Sequence, residues 1–410
     1  MKTLPRQRGT IQLGKLSPEE LAGRFGTPLY LYDEQTLRNR CRSLKDALPG
    51  INLYYSAKAN SNVSLLKVIK AEGLLVDAMS PGEVIQELEA GYQPKELLFV
   101  SNNVPQTTFD WLAAQGVERV IADSLSQMTR WCKAKPGAKV VLRLNPGKGA
   151  GHHEKVVTAG KVKFGIDPDL LPQAMEQAKA LGGKVTGLMV HIGSLFLDPQ
   201  PWLEAVDWLL AQAAPYRELE YLDFGGGLGI PYDRTTTEPF PLESFAKALL
   251  ERLSAFETLT QRKTEFALEP GRFLVAESGF CLARVQSVKV NQGIKFLGTD
   301  LGFNFLIRPE MYGSYHEILH CSKEEPGATP VQVVGNVCES GDYLGKDRLL
   351  PETQEGDLLL VRDTGAYGFS MASNYNSMPR PAEVLIQTDG EPRLIRRAQK
   401  PEDILRDQVF

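Results

Sequence analysis

Long apolar runs and an excess of basic residues are both missing from this chain of 410 residues. The longest apolar stretches, such as residues 358–361, fall far short of the roughly 20 residues that a membrane-spanning helix needs. Residues 1–14 include basic side chains but no apolar core, so we expect no secretory signal there. Lys and Arg number 46 against 50 Asp and Glu, which gives a formal net charge of −4. The sequence therefore predicts a globular protein that binds neither nucleic acid nor membrane.

Cysteine and histidine are also scarce. The five cysteines are scattered, odd in number and without a Cys-x-x-Cys pair, so neither a disulfide framework nor a structural zinc site is expected. Free cysteines are typical of a reducing compartment, and we expect the protein to be cytoplasmic. Two of the five histidines, His152 and His153, are adjacent, but their side chains should point in different directions. We expect no metal site.

Strand-like and helix-like segments alternate through the middle of the chain. Stretches with apolar residues at helical spacing, such as residues 62–70 and 81–89, separate short apolar and β-branched runs. Eight strands are predicted, at residues 52–56, 75–79, 97–100, 119–122, 140–144, 186–191, 221–224 and 265–268. Eight consecutive units at even spacing favour an α/β fold with a closed (β/α)8 TIM barrel, and an open doubly wound sheet is the alternative.

The pattern changes near residue 280. Residues 282–290 and 331–337 alternate in polarity, and turns rather than long helices separate such runs, which predicts a C-terminal all-β domain. We therefore expect a barrel over residues 28–278 and a β-domain over residues 279–410. Residues 1–27 are expected to add a strand to the β-domain, near residues 10–13.

A lysine follows the first predicted strand. Lys58 stands between Ala57 and Ala59, whose small side chains leave room for a bulky group. A lysine in a pocket can lose its proton and form a Schiff base with an aldehyde cofactor, although a lysine after a strand is more often a solvated surface residue. Its position favours a functional role, because barrel active sites lie at the carboxyl ends of the strands.

Glycines and charged residues follow the last three predicted strands. The glycines at 225–227 could offer backbone N–H groups to a phosphate, or could form a tight turn. Glu269 and Arg272 could hold a cofactor nitrogen and an anion, or could form an ion pair at a domain junction. His191 could stack on an aromatic ring while Ser194 donates to a phosphate, or could be a buried structural histidine.

Seven ordered segments, taken together, resemble one family. They are Tyr-Ser-Ala-Lys-Ala-Asn around Lys58, His191-Ile-Gly-Ser, Gly225-Gly-Gly, Glu269-Pro-Gly-Arg, Leu306-Ile-Arg-Pro-Glu-Met-Tyr, Cys338-Glu-Ser-Gly-Asp and Asp363-Thr-Gly-Ala-Tyr. The chain resembles the fold-type III, alanine-racemase-like decarboxylases that use pyridoxal 5′-phosphate, from about residue 27 to about residue 384. This family includes diaminopimelate, ornithine and arginine decarboxylases. The Cys-Glu-Ser segment is most similar to that of the diaminopimelate enzymes, since ornithine-type members usually have Asp in place of Glu339.

The resemblance implies a role for each barrel residue. Lys58 would hold the cofactor covalently, Glu269 would keep its pyridine nitrogen protonated, and His191 would stack on its ring. The phosphate would be bound by Ser194, Gly226, Gly227, Gly271 and Arg272, with Tyr367 close by. Cys338, which could otherwise be a small buried apolar residue, would donate a proton during catalysis.

The resemblance also implies the substrate and the assembly. The substrate would be meso-diaminopimelate, a small amino acid with charged groups at both ends, and the product L-lysine. It would be bound by Arg272, Arg308, Tyr312, Glu339 and Tyr367, because guanidinium groups pair well with carboxylates and Glu339 suits the distal ammonium. In this family the Cys-Glu-Ser segment serves the partner subunit, which implies a homodimer with composite active sites.

Two departures from the family pattern bear on the substrate. Many relatives have Gln where this chain has Leu195, and residues 147–160, which are expected to cover the substrate, differ from the commonest form. The alternatives are a sister decarboxylase that acts on another amino acid or conjugate, such as ornithine, lysine or a siderophore or antibiotic intermediate, and a non-catalytic regulator built on the same fold.

Overall fold

A computed structural model of the chain describes residues 4–151 and 153–410. The chain forms two compact units. The barrel unit comprises Asn39–Pro231 and Glu238–Leu274, and the β-unit comprises the residues up to Arg38, Tyr232–Thr237 and Val275–Phe410.

Eight parallel strands close into a barrel in the barrel unit. In chain order they are Asn52–Ser56, Leu75–Ala78, Leu97–Val100, Arg119–Ala122, Lys139–Arg143, Lys184–Met189, Tyr221–Asp223 and Glu265–Leu268. Each strand pairs with the next, and the eighth pairs with the first, where Ala267 lies opposite Asn52. The (β/α)8 barrel is confirmed, and the predicted strands match those of the structure within two residues at each end.

Helices separate the barrel strands. The α-helices are Glu34–Ala47, Val63–Ala71, Pro81–Glu89, Gln106–Ala114, Leu125–Ala134, Leu171–Ala180, Gln200–Ala213, Leu242–Thr260 and Arg272–Val275, with short 3-10 turns at Ala57–Ala59, Pro94–Glu96, Glu154–Val156 and Pro168–Leu170. The side chains of Asn62, Ser80 and Ser124 each accept a hydrogen bond from a backbone N–H in the first turn of the helix that follows. These caps start each helix soon after its strand ends. No helix in the described part of the chain has the length and apolar character to cross a membrane.

One layer of the barrel core is apolar. Side chains from seven strands form one buried cluster, made of Tyr54, Leu98, Val100, Ile121, Val141, Met189, Tyr221 and Ala267. Strands that are covered on both faces need continuous apolar sequence, which is the pattern that made them recognisable. Polar residues are consequently concentrated at the ends of the strands.

A nine-stranded sheet forms the centre of the β-unit. Its strands are Leu29–Asp33, Gly279–Asn291, Ile294–Thr299, Ile318–His320, Val331–Val334, Tyr343–Arg348, Leu358–Arg362, Ala382–Ile386 and Pro392–Arg396. The helices of this unit are Pro18–Phe25 and Arg308–Tyr312, with 3-10 turns at Ala276–Ser278, Phe369–Met371, Tyr375–Ser377 and Pro401–Leu405. The predicted all-β domain is confirmed.

The division of the chain differs from the expected one. Leu29–Asp33 was expected in the barrel, but it pairs with the first residues of Gly279–Asn291 and with Ala382–Ile386, so it belongs to the sheet. This strand is buried for nearly its whole length, and its apolar sequence suits either environment. Residues 10 and 11 pair with Arg6–Gln7 in a separate two-stranded sheet rather than in the large one. Residues 1–3 of the predicted segment 1–27 lie outside the described residues.

Candidate active site

Lys58 lies at the mouth of the barrel, in the 3-10 turn that follows the first strand. Immediately before it, the Ser56 hydroxyl donates to Asp77 Oδ2 at 2.6 Å and lies 3.0 Å from the carbonyl oxygen of Glu269. Burial raises the pKa of the Asp77 carboxyl, and the positive charge of Lys58 opposes that shift. An amine thus stands beside acidic groups that water does not solvate.

Glu269 is a buried carboxyl with an unused acceptor. It follows the eighth strand, its exposed fraction is 3%, and its Oε1 atom has no hydrogen-bond partner among the described residues. Burial and then the neighbouring carboxyls Asp223 and Asp77 raise its pKa well above the ordinary value, while Lys58 and Arg143 act in the opposite direction. A donor N–H placed at Oε1 would relieve the cost of leaving a buried acceptor unpaired.

His191 lies after the sixth strand and is held through its backbone. Its carbonyl oxygen accepts from Thr158 Oγ1 at 3.1 Å and from the Arg143 guanidinium at 3.4 Å. Burial, followed by the charges of Arg143 and Lys58, lowers the pKa of the imidazole well below its ordinary value. The ring is therefore neutral near pH 7, and its buried Nδ1 atom has no partner among the described residues.

The glycines after the seventh strand occupy positions that no side chain could share. Gly225 has φ of +65°, and its N–H donates to Asp223 Oδ1 at 2.8 Å. A Cβ at Gly226 would collide with the carbonyl oxygen of Glu269, and a Cβ at Gly227 would lie 2.7 Å from the carbonyl oxygen of Gly193. The chain can therefore pack here against the segments after the sixth and eighth strands only because these positions lack a side chain.

A serine and an arginine lie close to these glycines in the barrel unit. Arg272 is buried, and its guanidinium donates to Ser194 Oγ at 3.2 Å. Phe196 N donates to the carbonyl oxygen of Gly227 at 2.9 Å, which ties the segment after the sixth strand to the glycines after the seventh. Between them, Leu195 adopts a left-handed conformation with φ of +65°, which is unusual for a branched residue. The hydroxyl of Ser194, the guanidinium of Arg272 and the backbone of these glycines together offer hydrogen-bond donors that would suit an anion.

Gly271 extends this arrangement toward the lysine turn. A Cβ at Gly271 would lie 3.0 Å from the Cβ of Ser56 and 3.2 Å from the Cβ of Ala59. The structure therefore brings together all eight candidate residues of the barrel unit: Lys58, His191, Ser194, Gly226, Gly227, Glu269, Gly271 and Arg272.

In the β-unit, Arg308 is the most deeply buried of the candidate residues, with an exposed fraction of 1%. It begins the helix Arg308–Tyr312, and its guanidinium contacts His316 Nε2 at 3.0 Å and Ser314 Oγ at 3.1 Å. The guanidinium carbon also lies 4.5 Å from the centre of the Tyr232 ring. Arg308 is thus fixed rather than freely rotating.

Cys338 is exposed, whereas the other four cysteines are buried. Its N–H donates to Asn376 Oδ1 at 3.2 Å. The Asp342 carboxylate accepts from Val337 N at 2.9 Å and from Phe303 N at 2.6 Å, which fixes both ends of the segment. The Cys-Glu-Ser segment therefore presents its thiol on a constrained backbone.

The same segment passes against the helix that carries Arg308. A Cβ at Gly341 would lie 2.6 Å from Glu310 Oε1, so the loop that contains exposed Glu339 approaches the helix that ends at Tyr312. Tyr367 is half-buried and has φ of +57°, on a loop rather than in a strand.

Residues 147–160 are anchored by one asparagine. The Asn145 side-chain amide donates to the carbonyl oxygens of Gly160 and Phe164, both at 2.9 Å, and its Oδ1 accepts from Gly147 N and Gly160 N. His152, one of the two adjacent histidines, lies outside the described residues. Among the residues that are described, no cluster of three His, Cys, Asp or Glu side chains could hold a metal ion.

Sequence reasoning missed three buried charged residues of the barrel mouth. Asp77, Arg143 and Asp223 lie within strands and are almost fully buried, and Tyr221 Oη donates to Asp223 Oδ2 at 2.7 Å. A charge inside an otherwise apolar strand was the available signal, because such residues are rarely buried without a specific purpose.

Comparison with known proteins gives consistent results. The family model for the pyridoxal-binding domain of pyridoxal-dependent decarboxylases matches residues 34–276. The chain is 40% identical to diaminopimelate decarboxylase of Methanothermobacter thermautotrophicus, over 98% of this chain and 96% of the relative, and 35% identical to that of Escherichia coli K12, over 94% of each. The crystal structure of diaminopimelate decarboxylase from M. jannaschii with L-lysine superimposes with a TM-score of 0.91 at 29% identity, over 100% of this chain and 98% of that one.

Proposed function

The chain belongs to the pyridoxal-dependent decarboxylase family, and on that premise we propose that it converts meso-2,6-diaminopimelate to L-lysine and CO₂. The cofactor of the family is pyridoxal 5′-phosphate. The observation that carries the substrate assignment is Arg308, a buried and fixed guanidinium on a helix that lies against the loop of Glu339.

The barrel residues fit the cofactor. The unpaired Oε1 of Glu269 offers an acceptor to a ring N–H, and the neutral, buried imidazole of His191 offers a flat face without a competing charge. The backbone of Gly226 and Gly227, with Ser194, Gly271 and Arg272, offers donors to a phosphate. When bound, the cofactor supplies an electron sink for the electron pair that the departing CO₂ leaves behind.

Each residue of the barrel mouth has a defined task in this proposal. Lys58 would hold the cofactor covalently through its aldehyde group. Glu269 holds a proton on the ring nitrogen through Oε1, and the water-poor surroundings that raise its pKa also strengthen that contact. His191 remains neutral, because Arg143 and Lys58 disfavour a second positive charge beside the ring.

Recognition of the substrate falls to the β-unit in this proposal, with Arg272 contributing from the barrel. Arg308 and Arg272 bind carboxylates, Glu339 binds the distal ammonium, and Tyr312 and Tyr367 complete the binding site. A substrate with an amino acid at each end uses all of these groups.

We further propose that the active form is a cytoplasmic homodimer in which Cys338 of one subunit serves the cofactor of the other. An exposed thiol on a constrained loop is suited to such a role, and five free cysteines suit a reducing compartment. Cys338 would return a proton to the carbon from which CO₂ departs.

A direct assay tests the function. The protein loaded with pyridoxal 5′-phosphate should release CO₂ and L-lysine from meso-diaminopimelate, and should leave ornithine and lysine intact. Faster release of CO₂ from ornithine or lysine would instead identify a sister decarboxylase, the alternative suggested by the departure at Leu195 from the family pattern. Failure to take up the cofactor, with no absorbance of the bound form, would identify a non-catalytic relative.

A further inference from the structure

His316 contacts the Arg308 guanidinium, with its Nε2 atom 3.0 Å from Arg308 Nη1. It is fully buried, and the chain that contains it is tied down by the neighbouring backbone: Arg362 N donates to the carbonyl oxygen of Glu317 at 2.9 Å. The strand Ile318–His320 then pairs with Leu358–Arg362. The position of the imidazole is therefore determined by the sheet of the β-unit.

The hydrogen bonds define the tautomer of His316. Its Nδ1 lies 2.8 Å from the carbonyl oxygen of Arg362, which can only accept, so Nδ1 carries the proton. Its Nε2 lies 3.0 Å from Arg308 Nη1, which can only donate, so Nε2 accepts. The imidazole is neutral in this arrangement, and it orients the guanidinium without neutralising its charge.

Tyr232 provides the second support. Its ring lies 4.5 Å from the guanidinium carbon and meets the His316 ring edge to face, with centres 5.1 Å apart. Ser314 Oγ accepts from Arg308 Nη2 at 3.1 Å. Three neutral groups thus contact the guanidinium: the ring face of Tyr232, the Nε2 atom of His316 and the hydroxyl of Ser314.

We propose that His316 and Tyr232 are positioning residues that determine the preference of this protein for ligands with a carboxylate at the Arg308 end. Both act through Arg308: the histidine sets the plane of the guanidinium, and the tyrosine supports its face. A carboxylate binds an arginine best when two N–H groups are presented in a fixed plane, so loss of either support should weaken carboxylate binding selectively.

The experiment compares two ligands that differ by one carboxylate. L-Lysine and cadaverine have the same amines and carbon chain, and the binding of each to the pyridoxal-phosphate-loaded protein is measured by calorimetry. His316→Phe keeps a ring of similar volume but removes the acceptor, and should weaken lysine binding by about 10-fold to 30-fold while cadaverine changes by less than about twofold. The KM for diaminopimelate should rise by a similar factor, with kcat within about twofold.

Rescue variants separate positioning from general damage. His316→Gln restores an acceptor toward Arg308 and should recover lysine affinity to within about threefold of the parent protein. Tyr232→Leu should weaken lysine by about fivefold, and Tyr232→Phe, which keeps the ring, should restore it. If His316→Phe does not fold, the comparison of Tyr232→Leu with Tyr232→Phe still tests whether support of the guanidinium determines carboxylate binding.

A matched control is available four residues further along the chain. His320 is equally buried and contacts Asp357 at 3.0 Å rather than Arg308. His320→Phe should lower the melting temperature but leave the ratio of lysine to cadaverine affinity unchanged. Equal weakening of both ligands by His316→Phe, or no weakening of either, would overturn the positioning role.

The assignment of Arg308 to a substrate carboxylate is part of the proposed function. Measurements on the parent protein distinguish a failure of that assignment from a failure of the role of His316. A parent that binds cadaverine as tightly as lysine refutes that assignment. A parent that prefers lysine, with a His316→Phe variant that prefers it equally, refutes only the role of His316.

Discussion

The candidate residues of the barrel unit and those of the β-unit differ in how they are held. In the barrel unit, Glu269, Asp77 and Asp223 are buried close together, and burial raises the pKa of each. In the β-unit, Arg308 is buried in contact with His316, Ser314 and Tyr232, while Cys338 and Glu339 are exposed. Burial of these carboxyls costs free energy, which in the proposed function a bound cofactor would reduce, whereas the proposed task of the β-unit is substrate recognition. Substitutions should separate the two tasks.

The largest effect is expected at Lys58. Lys58→Ala should lower lysine formation by more than about 1,000-fold and abolish the absorbance of the covalently held cofactor, because no other group replaces the amine. The measurement is CO₂ release together with the absorption spectrum. Lys67→Ala, an exposed lysine of the next helix, is the control and should change neither. Retention of a tenth of the parent activity by Lys58→Ala would contradict the assignment.

Glu269→Gln should remove the ionisable carboxyl of the barrel site while keeping a side chain of the same shape. Gln cannot hold a proton on the ring nitrogen, so kcat should fall by about 100-fold, with the cofactor still bound. Glu265→Gln, at the other end of the same strand and paired with Arg119 at 2.8 Å, is the matched control and should stay within about twofold. Steady-state kinetics decides, and equal kcat values for the two variants would exclude the proposed role.

Cys338→Ser changes a residue of the β-unit and leaves the residues of the barrel unit unaltered. Lysine formation should fall by about 10-fold to 100-fold, and the absorbance of bound cofactor should remain, because the barrel site is untouched. Since the other four cysteines are buried, single subunits of the folded parent, in which no partner covers Cys338, should show one rapidly reacting thiol, and the variant none. Unfolding in denaturant should reveal all five thiols of the parent. A rapid thiol that persists in the variant would show that another cysteine is accessible.

The last effect concerns stability and pH rather than activity. Burial raises the pKa of Asp223 to about 6, so the folded protein binds this proton more tightly than the unfolded chain does. The group therefore costs stability as the pH rises from about 4 to about 6, by up to about 3 kcal/mol. Asp223→Asn should gain unfolding free energy relative to the cofactor-free parent over that interval, as measured by urea unfolding. Exposed Asp207→Asn is the control, and an identical pH trend in both variants would contradict the shift.

The sequence predicted the barrel well because each strand is covered on both faces and so consists of a continuous apolar run. It predicted Lys58, Glu269 and Cys338 through their ordered segments. Leu29–Asp33 was misplaced because its partners lie far along the chain, and no local pattern distinguishes a barrel strand from a buried sheet strand. The contacts of Tyr232 and His316 with Arg308 were missed for the same reason, since they depend on long-range pairing.

That misplaced strand has a consequence for synthesis of the protein. Leu29–Asp33 leaves the ribosome early, but its partners Gly279–Leu282 and Ala382–Ile386 follow about 250 and about 350 residues later. All the barrel strands are made in the interval. An apolar strand with unpaired edges must therefore wait while about 250 further residues are made, in a state that favours association with other chains. Nascent chains should depend on chaperones until Ala382–Ile386 has emerged, although the finished barrel is closed.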